Sequence, residues 1–300
     1  MSDFTRYGKA LSAAAGPVLR QAIARPSAAA GKQPIDSGTA GLALAAPAAL
    51  LLLQDDASLY EALAAGLGRL PTLAGRDAEG QGPADALPDN AILHAAHYPF
   101  MLHLHLAAFS RRYETLPAAV WGRCEDAVMP ALEPVRAAEQ YGDSRPPAPQ
   151  VHVVLWQLLC IYEQSKLLSR EADAEWVDSA VHQIAAAAGP NGELHVQAED
   201  ETPHAWQMRE RCALHALANV ALQMRNVQWS KRVQEAAKYM ATQPPIPGAA
   251  GEPWALFAFA WSGANQPIDA FVQNLHKAPT LLSALLIADA ADALAEFTDD

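Results

Sequence analysis

Residues 202–223, TPHAWQMRERCALHALANVALQ, carry the pattern on which the predicted fold depends. Thr202 is a good N-cap, and Pro203 suits the first turn of a helix, where its missing N–H is not needed. Apolar and small residues then recur at helical spacing. The stretch therefore predicts a helix that begins at a proline and is apolar on most of its surface.

The same pattern recurs along the chain. A proline opens an apolar run at positions 47, 99, 149, 203 and 253, at intervals of 52, 50, 54 and 50 residues, and a last run starts at Pro279. Between these runs lie amphipathic helical patterns with more charge, such as VQWSKRVQEAAKYMATQ (227–243), and joining segments rich in Pro, Gly and Asp. Only GELHV (192–196) has the pattern of a short strand. Each period is thus predicted to be a hairpin of one buried and one half-exposed helix.

Two-helix repeats of about 40 to 50 residues are typical of solenoids or, when the series closes on itself, of toroids. One set of helices is apolar on nearly every side, so we expect the other set to surround it, which favours a toroid. Over residues 40–297 the chain resembles the α/α-toroid superfamily, which includes six-hairpin carbohydrate-active enzymes and the terpenoid-cyclase and prenyltransferase barrels. The predicted fold is all-α: residues 1–39 form an N-terminal helix (about 3–25) and linker, and residues 40–300 form an incomplete or complete α/α toroid of five or six hairpins.

Charge and cysteine content restrict the partners. The chain has 300 residues and a formal net charge of -12, which argues against binding to nucleic acid or to an anionic membrane. Its three cysteines are widely spaced and odd in number, so a reducing cytoplasm is the expected location. LALAAPAALLLL (42–53) is too short to cross a bilayer and is predicted to be a buried helix. The oligomeric state stays open.

The helix in residues 202–223 has an unusual polar stripe. At about 100° per residue, one side gathers His204, Met208, Arg211, Cys212, His215 and Asn219, and the other side is apolar. In a toroid the apolar side packs against the outer layer, so the stripe is expected to face a central cavity. Small-molecule sites are mainly apolar with a few oriented polar groups, and this cavity is a candidate for one.

Three other runs show comparable sides. Taking His97 as the origin, the helix predicted around YPFMLHLHLAAF (98–109) brings His94, Met101 and His105 together. The helix predicted from APQVHVVLWQLLC (148–160) onward places His152, Trp156 and Glu163 on one side, and the run after Pro253 aligns Trp254 and Trp261. Apart from His97, these residues and Met208 are the predicted substrate contacts.

Acid–base catalysis is the leading chemistry. It needs two groups whose pKa values burial and neighbours move towards neutrality. Glu210, between two arginines, and His215 provide such a pair, and His204, Arg211 and His97 complete the predicted catalytic set. The resemblance to six-hairpin enzymes implies a sugar substrate, which the tryptophans would stack against. The predicted ligand is therefore a small molecule or saccharide.

Other assignments stay open at this point. Cys212 with His215, and His94 with His97, have the i, i+3 spacing of zinc ligands, although HExxH and CxxC are missing. The acidic motifs of terpenoid cyclases are missing too. A non-catalytic αα-repeat protein could use the same stripes to bind a peptide or protein, and the histidines and tryptophans could be plain core. Asp289 and Asp292, near the end of the chain, are expected to face solvent. The sequence alone leaves open whether the protein is an enzyme.

Overall fold

The computed structural model describes residues 3–24, 37–79, 91–137, 151–244, 253–275 and 279–299. These residues form twelve α-helices and two single 3₁₀ turns, and no strand is assigned among them. The all-α prediction is confirmed. In chain order the helices are α1 (Asp3–Ala24), α2 (Ser37–Leu53), α3 (Tyr60–Glu79), α4 (Ala91–Arg112), α5 (Ala118–Ala137), α6 (Val151–Leu167), α7 (Ala174–Ala187), α8 (Pro203–Met224), α9 (Val227–Thr242), α10 (Leu256–Ser262), α11 (Asn265–Gln273) and α12 (Leu281–Asp299).

Buried and half-exposed helices alternate along the chain, as the hairpin pattern predicts. Most described side chains of α2, α4, α6, α8, α10 and α12 are buried. The helices between them, from α3 to α11, bury one side and expose the other. The apolar run at 42–53 is confirmed as part of a buried helix, α2.

The buried helices contact one another in series. α2 packs against α4, α4 against α6, α6 against α8, α8 against α10 and α10 against α12, and α12 packs in turn against α2. The half-exposed helices pack on this series: α3 and α5 contact α4, α7 contacts α6, and α9 contacts α8 and α10. α1, which matches the helix predicted for residues 3–25, lies along α12 and α2.

Proline marks a helix start less often than predicted. α8 does begin at Pro203, and the hydroxyl of Thr202 accepts a hydrogen bond from the N–H of Ala205 (3.1 Å). Pro253 and Pro279 lie just before α10 and α12. The starts predicted at Pro47 and Pro99 are wrong, because both prolines lie inside their helices. Alanine- and leucine-rich residues before them favour helix, and packing offsets the roughly 3 kcal/mol that an interior proline costs. Pro149 lies outside the described residues.

The strand suggested by GELHV is also wrong. Residues 192–196 belong to the loop between α7 and α8, where the N–H of Val196 donates to the carbonyl of Ala187 (3.1 Å). The N–H of Leu194 donates to the carboxylate of Glu210 instead of to a second strand. A separate result concerns hydropathy: none of the described helices is long and apolar enough to cross a membrane.

Candidate functional site

A cavity of about 310 Å³ lies among four of the buried helices. It is bordered by the last turns of α4, α6 and α8 and by the second half of α12. Its volume lies at the lower end of the range of about 300–1,000 Å³ that is usual for small-molecule sites. The lining residues are mostly polar: His103, Ala107, Ser110, Arg111, Glu163, Lys166, Asn219, Gln223, Arg225, Asp289, Asp292, Ala293 and Glu296.

A group of buried polar side chains lies at the cavity and is here called the floor cluster: His103, Glu163, Asn219 and Asp289, which line the cavity, and His215, which contacts Asp289 but does not itself line the cavity. Asp289 is its centre. The Oδ1 atom of Asp289 lies 2.6 Å from Nε2 of His103, and its Oδ2 atom lies 2.8 Å from Nε2 of His215. The amide nitrogen of Asn219 donates to the same Oδ2 (3.1 Å). Three helices, α4, α8 and α12, therefore meet at one carboxylate.

His103 lies between two carboxylates. Its Nε2 faces Asp289, and its Nδ1 lies 2.8 Å from Oε1 of Glu163. Burial opposes a charge on the ring, but the attraction of Asp289 and Glu163 outweighs burial and raises the pKa of His103 well above its ordinary value. Burial also acts to raise the pKa of Asp289, yet His103 and His215 outweigh it and lower that pKa. An imidazolium between two acidic groups is the arrangement that these shifts favour.

The hydrogen bonds of His215 determine its tautomer. Its Nδ1 accepts from the backbone N–H of Ala255 (3.2 Å), so the ring hydrogen is on Nε2, where it is donated to Asp289. Ala255 has a φ of 61°, in the left-handed region that a residue with a Cβ seldom adopts. The rings of Trp156 and Trp254 pack on His215, with centroids 5.5 and 5.7 Å away. The imidazole is therefore held from four sides.

Glu163 has an incomplete set of partners. It is 2% exposed, and its Oε1 atom pairs with His103. Among the described residues neither Oε1 nor Oε2 makes a hydrogen bond, so Oε1 has only the ion-pair contact with His103, and Oε2, which is also buried, has no partner. Burial raises the pKa of Glu163, and His103 offsets only part of this effect. Oε2 is the acceptor in the floor cluster that the protein itself leaves unused.

Asp292 lies one turn along α12 from Asp289 and is also buried. Burial raises its pKa to about 8, although Arg111, whose Nε lies 2.8 Å from Oδ1 of Asp292, acts in the opposite direction. Arg111 also contacts Glu296 at the exposed rim, and Lys166 lies 3.8 Å from the same glutamate. The cavity thus has an acidic floor and a rim of mixed charge.

The stripe predicted on α8 reaches the cavity only at its carboxyl end. His215 and Asn219 belong to the floor cluster, as expected for inward-facing residues. His204 does not: it lies in the first turn of α8 and is exposed. Met208 is buried, and the guanidinium of Arg211 lies 5.9 Å from the ring of Phe259. None of these last three residues lines the cavity, and the exposure of His204 contradicts its predicted inward orientation.

Glu210 points away from the cavity. Its carboxylate accepts from the backbone N–H groups of Leu194 and His195, and its Oε2 lies 2.9 Å from Nδ1 of His195. Because α8 turns this side towards the loop before it, Glu210 holds residues 194 and 195 against the helix. The expected pairing of Glu210 with His215 is not found.

The side of α4 that faces the floor differs from the predicted one. His103 is the inward histidine, whereas the Nδ1 of His105 lies 2.8 Å from the carbonyl of Met101, and its ring packs on Gly66 of α3. A Cβ at position 66 would collide with His105 Nε2, so this glycine makes room for the ring. Met101 is in the core. The side chains of His94 and His97 lie outside the described residues.

Of the remaining predicted substrate contacts, some line the cavity and others do not. Glu163 lines the cavity. Trp156 and Trp254 do not line it but support it from behind, through His215. His152 is buried on α6 away from the lining, and Trp261 stacks on Phe257 with centroids 5.3 Å apart. The prediction that tryptophan lines the cavity is therefore wrong for these residues. The lining is polar, and Trp156 and Trp254 lie in the layer behind it.

Three buried titratable residues of the site were not predicted from the sequence: His103, Asp289 and Asp292. The expectation that the two aspartates face solvent is wrong, because they are 2% and 7% exposed. A usable signal was present in IADAADAL (287–294), since two acidic residues three apart lie within an otherwise apolar helix. Buried aspartates almost always have partners, so such a pair indicates a polar cluster.

The structure gives no support for a zinc ligand set. Within the described ranges, no group of three or more His, Cys, Asp or Glu side chains is arranged to hold a metal ion. Cys212, one of the predicted zinc ligands, is buried and accepts a hydrogen bond from Nε1 of Trp156 (3.3 Å).

The chain was also compared with protein-family models, with curated proteins and with solved structures. None of the three comparisons gives a match.

Proposed function

We propose that the protein is an α/α toroid whose central cavity binds and chemically processes a small polar molecule. The toroid is supported by the series of contacts from α2 to α12, in which the last buried helix packs against the first. It is supported also by the half-exposed helices, which pack on that series, and by the regular spacing of the hairpins.

One observation carries the functional proposal. Two buried carboxyl groups, Glu163 and Asp292, border the same cavity, and burial raises the pKa of each. Structural carboxylates usually have lowered pKa values because they are paired, whereas acid–base catalysts have pKa values near the working pH. Two such groups beside a cavity of ligand size favour catalysis over a purely structural role.

The two groups have different roles. Asp292, with a pKa of about 8, carries its proton at neutral pH and acts as the general acid. Glu163 acts as the general base, since its Oε2 has no hydrogen-bond partner in the part of the chain that the structure describes. His103 is a positioning residue that holds Glu163, and Asp289 in turn orients His103. Acid and base on different helices can act on two sides of a bound molecule.

The lining limits the class of ligand. It consists of acidic, basic and amide side chains with one histidine, two alanines and a serine, and it contains no Phe, Tyr or Trp. A saccharide or similar polyol would be held here by hydrogen bonds rather than by stacking on tryptophan. Its size is limited to about one sugar ring by the cavity of about 310 Å³.

The cellular location is part of the same proposal. Cys124, Cys160 and Cys212 are all buried and unpaired. Free thiols of this kind support a reducing compartment such as the cytoplasm.

The test is a screen of small polar metabolites for binding and turnover, with the wild type, Asp292→Asn and Glu163→Gln. We expect at least one compound to bind the wild type and to be converted, with product followed by mass spectrometry. Loss of a general acid or base should slow conversion by about 10²- to 10⁴-fold. The control is Glu133→Gln on the exposed surface of α5. Equal turnover by wild type and both site variants, or no binding by any compound, would contradict the proposal.

A further inference from the structure

The hydrogen-bonding capacity of the floor cluster determines what a ligand must offer. Both ring nitrogens of His103 face carboxylates, and the hydrogen of His215 is donated to Asp289. The amide nitrogen of Asn219 is also used, by Asp289 and by the carbonyl of His215 (3.2 Å). Each donor of the floor therefore already faces an oxygen of the protein, although Nδ1 of His103 meets Glu163 as an ion pair and not as a hydrogen bond.

The acceptors of the floor are not all engaged. Oε2 of Glu163 has no partner among the described residues, and Asn219, with its nitrogen engaged, has only its amide oxygen to offer a ligand. A group that binds at the floor must consequently be a hydrogen-bond donor. An ammonium group has three N–H donors, whereas a hydroxyl has one.

The charges of the floor point in the same direction. Glu163 and Asp289 share one imidazolium, His103, so two ionised carboxylates would have a single cation between them. Two of the basic side chains that line the cavity pair elsewhere, Arg111 with Asp292 and Lys166 with Glu296. A buried carboxylate without a full positive partner is costly. The raised pKa of Glu163, which burial causes, is the expected consequence of this shortage.

We infer that the ligand of this cavity carries a protonated amino group, which binds Oε2 of Glu163 at the floor. This inference rests on the proposed function and narrows it, since the substrates become small amines, such as amino sugars or amino alcohols, in place of neutral polyols. A divalent metal ion is the other cation to consider. It would need at least three ligands, and the described residues contain no such group.

The experiment uses three pairs of probes that differ in charge: glucosamine and glucose, ethanolamine and ethylene glycol, and 1,4-diaminobutane and 1,4-butanediol. Each is titrated into the full chain and followed by NMR. We expect at least one amine to bind at least tenfold more tightly than its hydroxyl counterpart. Glu163→Gln keeps the shape and one acceptor but removes the charge, and should weaken that amine at least tenfold. The matched control, Glu133→Gln, should leave the affinity unchanged.

Several results would overturn the inference. These are hydroxyl probes that bind as tightly as the amines, an amine affinity that Glu163→Gln leaves unchanged, and failure of all three amines to bind at 50 mM. Direct binding of zinc or magnesium chloride to the wild type and to Glu133→Gln, but not to Glu163→Gln, would replace the amine by a metal. A neutral probe that binds through Glu163 would leave the proposed function intact and remove only the amine preference.

Discussion

Two buried clusters of histidine and carboxylate lie at opposite sides of α8, and they differ in how their carboxylates are satisfied. In the first, Glu210 receives two backbone N–H groups and lies beside His195. In the second, the floor cluster, Glu163 contacts one histidine and leaves an oxygen without a partner next to a cavity. A carboxylate completed by its own loop stabilises that loop, whereas an incomplete one beside a cavity is available to a ligand.

The largest expected effect concerns the first cluster. Glu210→Ala removes the acceptor of two buried backbone N–H groups and of the His195 ring. We expect the free energy of unfolding to fall by roughly 3–5 kcal/mol, as when one partner of a buried pair is lost. Urea denaturation measures this loss. Glu133→Ala, on the surface, should change stability by less than about 0.5 kcal/mol. A loss below about 1 kcal/mol for Glu210→Ala would show that the loop is held by other contacts.

Asp292→Asn should change the free energy of unfolding by an intermediate amount that depends on pH. Because burial raises the folded pKa of Asp292 to about 8, its stabilising contribution is complete below the ordinary aspartate pKa and is lost as pH rises towards 8. Asparagine does not ionise, so the variant should gain stability relative to wild type by roughly 1–3 kcal/mol between pH 5 and 8.

The measurement for Asp292→Asn is a denaturation series at several pH values. The charged groups around Asp292 on α4 and α12, namely Arg111, His103, Asp289 and Glu296, are the same in both proteins. Asp126→Asn on α5 serves as the control and should show a constant difference across this range. A difference that is constant for Asp292→Asn as well would mean that its carboxyl group titrates normally.

The two clusters also show how far sequence reasoning extends. Periodicity and proline spacing predicted an all-α chain of alternating buried and half-exposed helices, because these patterns depend on local sequence. On α8 the polar stripe was distinct enough to identify His215. On α4, however, both His103 and His105 are buried, so the helix has no clear polar side.

Distant residues decide which buried histidine of α4 faces the cavity. Gly66 of α3 makes room for His105, and Asp289 of α12 attracts His103. These residues are far from α4 in the chain, and helical periodicity carries no information about them. The same limit explains Glu210, whose partners Leu194 and His195 lie in a loop whose path the sequence pattern did not predict.

The smallest expected change in stability comes from Glu163→Gln, and it allows the most direct comparison of the two clusters. Glu163→Gln removes a buried charge whose pKa burial raises, and this gain offsets the loss of the ion pair with His103. We expect its free energy of unfolding at pH 7 to change by less than about 1 kcal/mol. The same substitution at Glu210 turns a carboxylate with two backbone donors and an adjacent imidazole into an amide, and should cost about 2 kcal/mol or more. Equal losses in urea denaturation would mean that both carboxylates are structural, and the functional distinction between the clusters would fail.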